Sequence, residues 1–330
     1  MTTEIPEAVA LGIELEGILM PIARKQRDDF YEHKGGRFVH YTPAEAALKI
    51  INSKRIWMRN AMCMSDYREI NHGYELFRGF FGDKNNADRF IAALDACAPN
   101  IAHEAIGLFN QWWRNIQSDT YIASISEHDD EEDLHGRLSM WRAYGGNSAR
   151  VAIVFRVPWY TGAAQELNIT LNPVAYLDPA ELNSELNTVI RNVGENIDFL
   201  KTIDRNVLRD YVFAMFMVGV TCLKHEGFKE EREWRVLYSP KFNPSHLIKP
   251  SLETIGGVPQ TVHELPLDKT VSTASAALAD LDFAKVFDRL IIGPSPYPYA
   301  QYEAFVSALQ RAGVENAGQR VYISGIPIRT

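Results

Sequence analysis

The chain is poor in the features that announce a common chemistry. It has three cysteines in 330 residues, Cys63, Cys97 and Cys222. They lie far apart, which excludes a disulfide framework and a closely spaced metal-ligand pair and fits reduced thiols in a cytoplasm. No apolar run reaches the roughly 20 residues of a bilayer-spanning helix, and the longest, "YVFAMFMVGVTCL" at 211–223, reads as a buried helix. The start, "MTTEIPEAVALGIELEGIL", carries early acids and no basic n-region, so it does not read as a signal peptide. Positive charge is also short, with 34 Lys and Arg against 42 Asp and Glu and a net charge of -8. The chain as a whole therefore does not draw nucleic acid or anionic membranes to itself, although a local basic groove is compatible with that balance. No glycine-rich dinucleotide fingerprint, phosphate loop or G-x-S-x-G elbow is present, and there is no internal repeat or low-complexity linker.

What is present is an irregular mixture of helix and strand. Residues 7–33 read as helical and are stopped by Gly35-Gly36. Strands are expected at 37–41, 55–60, 120–126, 150–157, 172–177, 233–239, 289–294 and 319–326, the clearest being "RVAIVFRV". Helices are expected after Pro43, through most of 74–118, briefly at 138–146, through 179–226 and at 299–313. Thr42 reads as a helix N-cap, with Pro43 and Glu45 in the first turn. Without regular βα alternation the class is α+β. The preferred division is an N-terminal helical extension, 1–36, and a single domain, 37–330, with helical insertions near 71–118 and 179–226.

Several residues stand out. His40 ends a strand, and Tyr41 and Thr42 beside it offer an aromatic face and a hydroxyl suited to a ribose and a flat ring. Ser124 and Ser126 alternate with Ile125, which places both hydroxyls on one strand face. The run "EHDDEED" at 127–133 reads as a solvated loop, and no spacing in it fixes a metal geometry. Trp141 and Tyr144 fall on one side of a short helix and read as core. In "FKEEREWRVLY", Glu231 and Glu233 are expected on one strand face with Arg235 following. Two adjacent carboxylates need cations or solvent nearby, and Arg232 and Arg235 are the candidate cations.

The order of these pieces resembles a bacterial family known as domain of unknown function twenty-nine seventy-one. It runs from "HYT" (40–42), through Ser65-Asp66 with Glu69, "SISE" (124–127), "WRAYG" (141–145), "VAIVF" (151–155), Tyr176 and "FKEEREWR" (228–235), to "IIGP" (291–294). One departure is Ala149-Arg150 where the family usually has a glycine. That family in turn resembles the ADP-ribosyltransferase superfamily, which includes toxins that modify DNA or RNA. The resemblance implies a split β-sheet core and NAD as substrate, with no metal. His40 would hold a ribose, Tyr41 would stack on a ring, and Ser126 (with Ser124 as rival) would support the nicotinamide side. Glu233 would be catalytic and Glu231 would assist. Thr42 and Arg235 would belong to the NAD site. It also implies a macromolecular acceptor, RNA or DNA slightly ahead of protein, in a toxin or phage-defence setting that leaves room for an antitoxin or inhibitor protein. A binding module without turnover and an NAD glycohydrolase are the rival readings. Arg55, Arg59, Arg137, Arg142, Arg150, Arg232 and Arg235 are expected to form a basic rim.

Overall fold

The computed structural model describes residues 7–64, 67–143, 149–158, 162–268 and 276–327. Tyr144 and the Ser65-Asp66 pair fall outside them. The strands are β1 (Phe38–Pro43), β2 (Arg55–Asn60), β3 (Tyr121–Glu127), β4 (Arg150–Phe155), β5 (Thr170–Pro173), β6 (Ala175–Tyr176), β7 (Leu223–Lys224), β8 (Glu233–Tyr238), β9 (Lys249–Ile255), β10 (Val258–Pro266), β11 (Phe287–Ile292) and β12 (Val321–Ile323). The chain divides into two compact units. One comprises residues 1–29, 64–118 and 172–229; the other comprises 30–63, 119–171 and 230–330.

The first unit is helical. Residues 7–33 form two helices, Glu7–Leu19 and Pro21–His33, because Pro21 has no N–H to continue the first ladder and is well suited to start the second. The apolar run noted above is the buried helix Arg205–Thr221, which carries Leu208, Val212 and Phe216 into a core with Phe90 and Ile101. Phe77, Phe81, Phe90 and Phe109 all pack edge-on or tilted about Phe216. This helix crosses Tyr67–Gly82 at close range. A Cβ on Gly219 would stand 2.4 Å from the Phe77 ring, so only glycine fits there.

The second unit is built on a mixed sheet. Its strand order runs β12-β11-β4-β1-β3-β2-β10-β9, and β8 pairs with β3. Only β11 and β12 run parallel within this path. β4 is buried on both faces: Val151, Ile153 and Phe155 enter the large core, and Ala152 and Val154 enter a smaller cluster with Val39, Tyr41, Met140 and Trp141. Two-sided burial is why "VAIVF" is continuously apolar rather than alternating. The β9–β10 hairpin turns at Gly256-Gly257, both with positive φ, a backbone shape that glycine adopts without strain.

The sheet parts around β3. On one edge β3 pairs with β8 along its length, from Tyr121↔Tyr238 to Ser126↔Glu233. The other edge is shared. β1 pairs only at Phe38↔Glu127 and Val39↔Ser126, and β2 only at Arg59↔Ile122 and Asn60↔Tyr121. Residues 123–125 therefore face a gap between β1 and β2.

Two local expectations are corrected. Thr42 is not a helix cap. It is buried in β1 opposite Val151, and the ladder continues to Pro43↔Arg150. The following helix, Ala44–Ser53, is started instead by Ala44 N–H donating to Ala149 O at 2.9 Å. The run at 127–133 is not a solvated loop. Arg37 pairs with Asp130 and Asp133, Arg289 with Asp133, and Arg232 with Asp129 and Glu132.

Candidate functional site

The gap beside β3 is where the candidate residues gather. Cross-strand partners share a face, so the register Val39↔Ser126↔Glu233 places Ser126 between β1 and β8 with Glu233 beside it. Ser124↔Arg235 is the next pair on that face. Tyr41 follows Val39 along β1 and lies in the same small cluster as Trp141.

Glu233 begins β8, and its side chain is 5% exposed. Arg235, two residues on, is 2% exposed and grips it as a fork: Nε donates to Oε1 at 3.0 Å and a terminal nitrogen to Oε2 at 3.2 Å. That fork fixes the carboxylate plane. The guanidinium serves Glu233 directly, in keeping with Arg235 as a candidate cation for the carboxylates. Trp234 turns to the opposite face, among Phe30 and Phe38, as expected.

His40 sits where β1 leaves β3. Its Nδ1 lies 2.9 Å from Ser124 O. A carbonyl can only accept, so Nδ1 carries the proton, and in the neutral ring Nε2 is an acceptor. Burial lowers the His40 pKa below its ordinary 6.5, partly opposed by that bond, which favours the neutral ring. Ser124 Oγ is buried without a hydrogen-bond partner among the described residues, an unmet polar group aimed from the same strand.

Tyr41 is committed to the protein. Its ring packs edge-on against Trp141 at 4.9 Å, and its hydroxyl accepts from Arg137 N at 2.8 Å. Burial pushes its pKa up to about 12. It is a buttress of the site rather than an open stacking platform. Trp141 is core, as expected: its indole donates to His135 O at 2.8 Å and covers Gly293, where a Cβ would come within 2.9 Å of the ring. That contact gives the glycine of "IIGP" its structural reason.

Glu231 does not share the Glu233 strand face. It ends a 3-10 turn, Glu226–Glu231, and Arg232 has φ +44°, which breaks the alternation before β8 starts. The segment is held by Arg137, which donates to Glu230 O at 2.8 Å and Glu231 O at 3.0 Å.

The expected basic rim is largely neutralised. Arg137 and Arg232 are paired with Glu132, Arg235 with Glu233, and Arg55 stands 3.6 Å from Glu264. Arg59 donates to Gln260 and to Cys63 O, and burial lowers its pKa. Arg142 is exposed and Arg150 half-buried. Among the described residues no group of His, Cys, Asp and Glu could hold a metal ion, and no helix is long and apolar enough to cross a membrane. A polar hollow of about 770 Å³ lies elsewhere in this unit, lined by Arg156, Lys285, Asp288, Arg289, Arg320 and Tyr322 among others.

Sequence reasoning placed Arg137 only in the rim. Its signal is weak, because its acceptors are mostly backbone carbonyls, but an arginine just beyond an acidic run was a clue. No curated protein and no solved structure matches the chain. Residues 140–236, from the Trp141 helix to the Glu233–Arg235 pair, match the model of the family described as "Protein of unknown function (DUF2971)".

Proposed function

We propose that the protein is an NAD-dependent mono-ADP-ribosyltransferase acting on a macromolecule. The observation that carries this reading is the parting of β1 from β3 at Val39↔Ser126↔Glu233, with His40 spanning the gap to Ser124 O. Three strands bring a histidine, a serine and a strand-heading glutamate to one break in the sheet. That is the set the superfamily resemblance calls for.

The chemistry suits these groups. The bond between ribose C1′ and the nicotinamide nitrogen breaks, nicotinamide leaves with the electron pair, and C1′ gains oxocarbenium character. Glu233, oriented by Arg235, accepts a hydrogen bond from the ribose 2′-hydroxyl. That bond strengthens as positive charge grows, so it favours the transition state. His40 Nε2 accepts from the other ribose, and Ser124 Oγ or Ser126 meets the carboxamide. The acceptor's nucleophilic atom bonds to C1′ and its proton passes to Glu231. The acceptor reading, nucleic acid slightly ahead of protein, now rests on family resemblance alone, because the paired arginines supply little free positive charge.

Incubation with labelled NAD and cell extract tests the reading. Transfer of label supports it, and nuclease against protease digestion of the product identifies the acceptor class. Glu233→Gln should cut turnover by roughly a hundredfold or more, the cost of one lost transition-state contact, with NAD affinity retained. A second reading, a fold-stabilising ion pair in a module that binds without turnover, draws on the near-complete burial of Glu233. It predicts a less stable Glu233→Gln protein and a wild type that never releases nicotinamide.

A further inference from the structure

We infer that Arg137 is a positioning residue, the clamp that sets the two glutamates of the E-x-E segment against Ser126. The inference rests on the functional reading above. A guanidinium has five N–H donors, and in Arg137 all five are engaged. Nε donates to Glu132 Oε1 at 3.0 Å. One terminal nitrogen donates to Glu230 O at 2.8 Å and Glu231 O at 3.0 Å. The other donates to Glu127 O at 2.8 Å and Glu132 Oε2 at 3.3 Å. Three of those acceptors are backbone carbonyls from two segments. Glu127 follows Ser126 at the end of β3, and Glu230 and Glu231 precede Glu233 at the start of β8.

The clamp is itself held. The Arg137 amide donates to the Tyr41 hydroxyl at 2.8 Å, and its carbonyl accepts from Met140 and Trp141. Its side chain is 12% exposed. Glu132 also receives Arg232, the left-handed residue between the two glutamates, which is pinned by Asp129 as well. The Glu132 carboxylate and the guanidiniums of Arg137 and Arg232 thus fix both the carbonyl of Glu231 and the twist that separates Glu231 from Glu233. A lysine could not substitute, having three donors on a single nitrogen instead of a planar fork.

The test compares Arg137→Lys and Arg137→Ala with the wild-type full chain. It measures backbone hydrogen exchange over 126–133 and 228–235, together with steady-state turnover of NAD. A role confined to charge is restored by lysine, whereas a fork is not. Both variants should therefore exchange faster at the Glu127 amide, which donates to Arg232 O in the wild type. Both should lose about a hundredfold in transfer kcat, the scale of an ångström-sized misplacement, with KM for NAD little changed. NAD hydrolysis should fall less than transfer. Unchanged exchange in a folded variant overturns the inference, as does raised exchange with wild-type kcat or full recovery by lysine. Should Arg137→Ala fail to fold, Glu132→Gln weakens the same clamp and should shift exchange and kcat in the same direction; no shift in either overturns it. A wild type that never consumes NAD rejects the reading of the site. Raised exchange in the variants would then still uphold Arg137 as the holder of this segment, so the two failures are distinguishable.

Discussion

The helical unit and the sheet unit bury different chemistry. Among the described residues, the buried polar side chains of the helical unit are Asn172, Thr221 and Lys224. The sheet unit buries Arg37, Glu127, His128, Glu233, Arg235, His263 and Asp268, with further hydroxyls and amides. A core of packed phenylalanines and leucines derives its stability from area removed from water and asks only for shape. A core that includes paired charges gives up part of that gain to desolvation and is sensitive to the loss of either partner. Such groups are retained where position matters more than stability. The contrast makes the sheet unit the one whose stability depends on keeping buried charges paired.

The contrast can be broken most sharply at Arg235. Arg235→Met removes the fork and leaves the Glu233 carboxylate buried beside β3. Loss of one partner of a buried pair costs about 3–5 kcal/mol, so chemical denaturation should show a large fall in stability. Adding Glu233→Gln to it should recover part of the loss, because the uncompensated charge is gone. A double variant no better than the single one would show that packing, rather than charge, is what Arg235 provides.

pH separates the units without mutation. In the sheet unit burial lowers the pKa values of His40, His128 and His263 below 6.5. His128 is also raised by Asp133 and Glu132 and lowered by Arg37, with desolvation the largest cause. A folded pKa below the unfolded value means that the unfolded chain binds more protons as the solution acidifies. The stabilisation is complete above about pH 6.5 and declines as pH falls toward the folded values. In the helical unit His72 is the residue shifted the same way, by burial and by His225. Hydrogen exchange between pH 7.5 and 5.5 should therefore weaken the sheet unit more than the helical one. Equal weakening would count against this account.

The smallest effect belongs to the helical unit's surface. Asp178 caps the helix Pro179–Glu195 in a reciprocal box with Glu181, at 2.8 and 2.9 Å. Asp178→Ala should cost about 1 kcal/mol in a denaturation curve and leave any activity of the sheet unit unchanged.

Much of the fold is legible in local pattern. "RIWMRN" is β2 residue for residue, "VAIVF" is the doubly buried β4, and β8 begins at Glu233 as its composition suggests. The β9–β10 hairpin was missed although Gly256-Gly257 marks its turn, because β9 is exposed along most of its length and lacks a clean apolar alternation. Thr42 misled because a threonine before Pro-x-Glu fits a cap as well as a strand end, and only the neighbouring β4 decides between them. The alternation that puts Ser124 and Ser126 on one face was readable; that Ser126 stands between Val39 and Glu233 was not.

By itself the sequence determined most of the strands and helices, the buried helix at 205–221, and that Ser126 and Glu233 stand near strand ends; His40, expected at a strand end, lies inside β1 opposite Ile153. The features it determined follow from periodicity and local conformational preference, which act over a few residues. Only the tertiary structure decided that β1 leaves β3 after two pairs, that Arg232 turns left-handed between the glutamates, and that the acidic run is gripped by Arg37, Arg137, Arg232 and Arg289. The physical reason is that, apart from the local Arg137–Glu132 pair, these contacts end on carbonyl oxygens and on charges far away in the chain. Every residue carries a carbonyl, so its recruitment by Arg137 leaves no mark in the sequence until strand register brings it within reach.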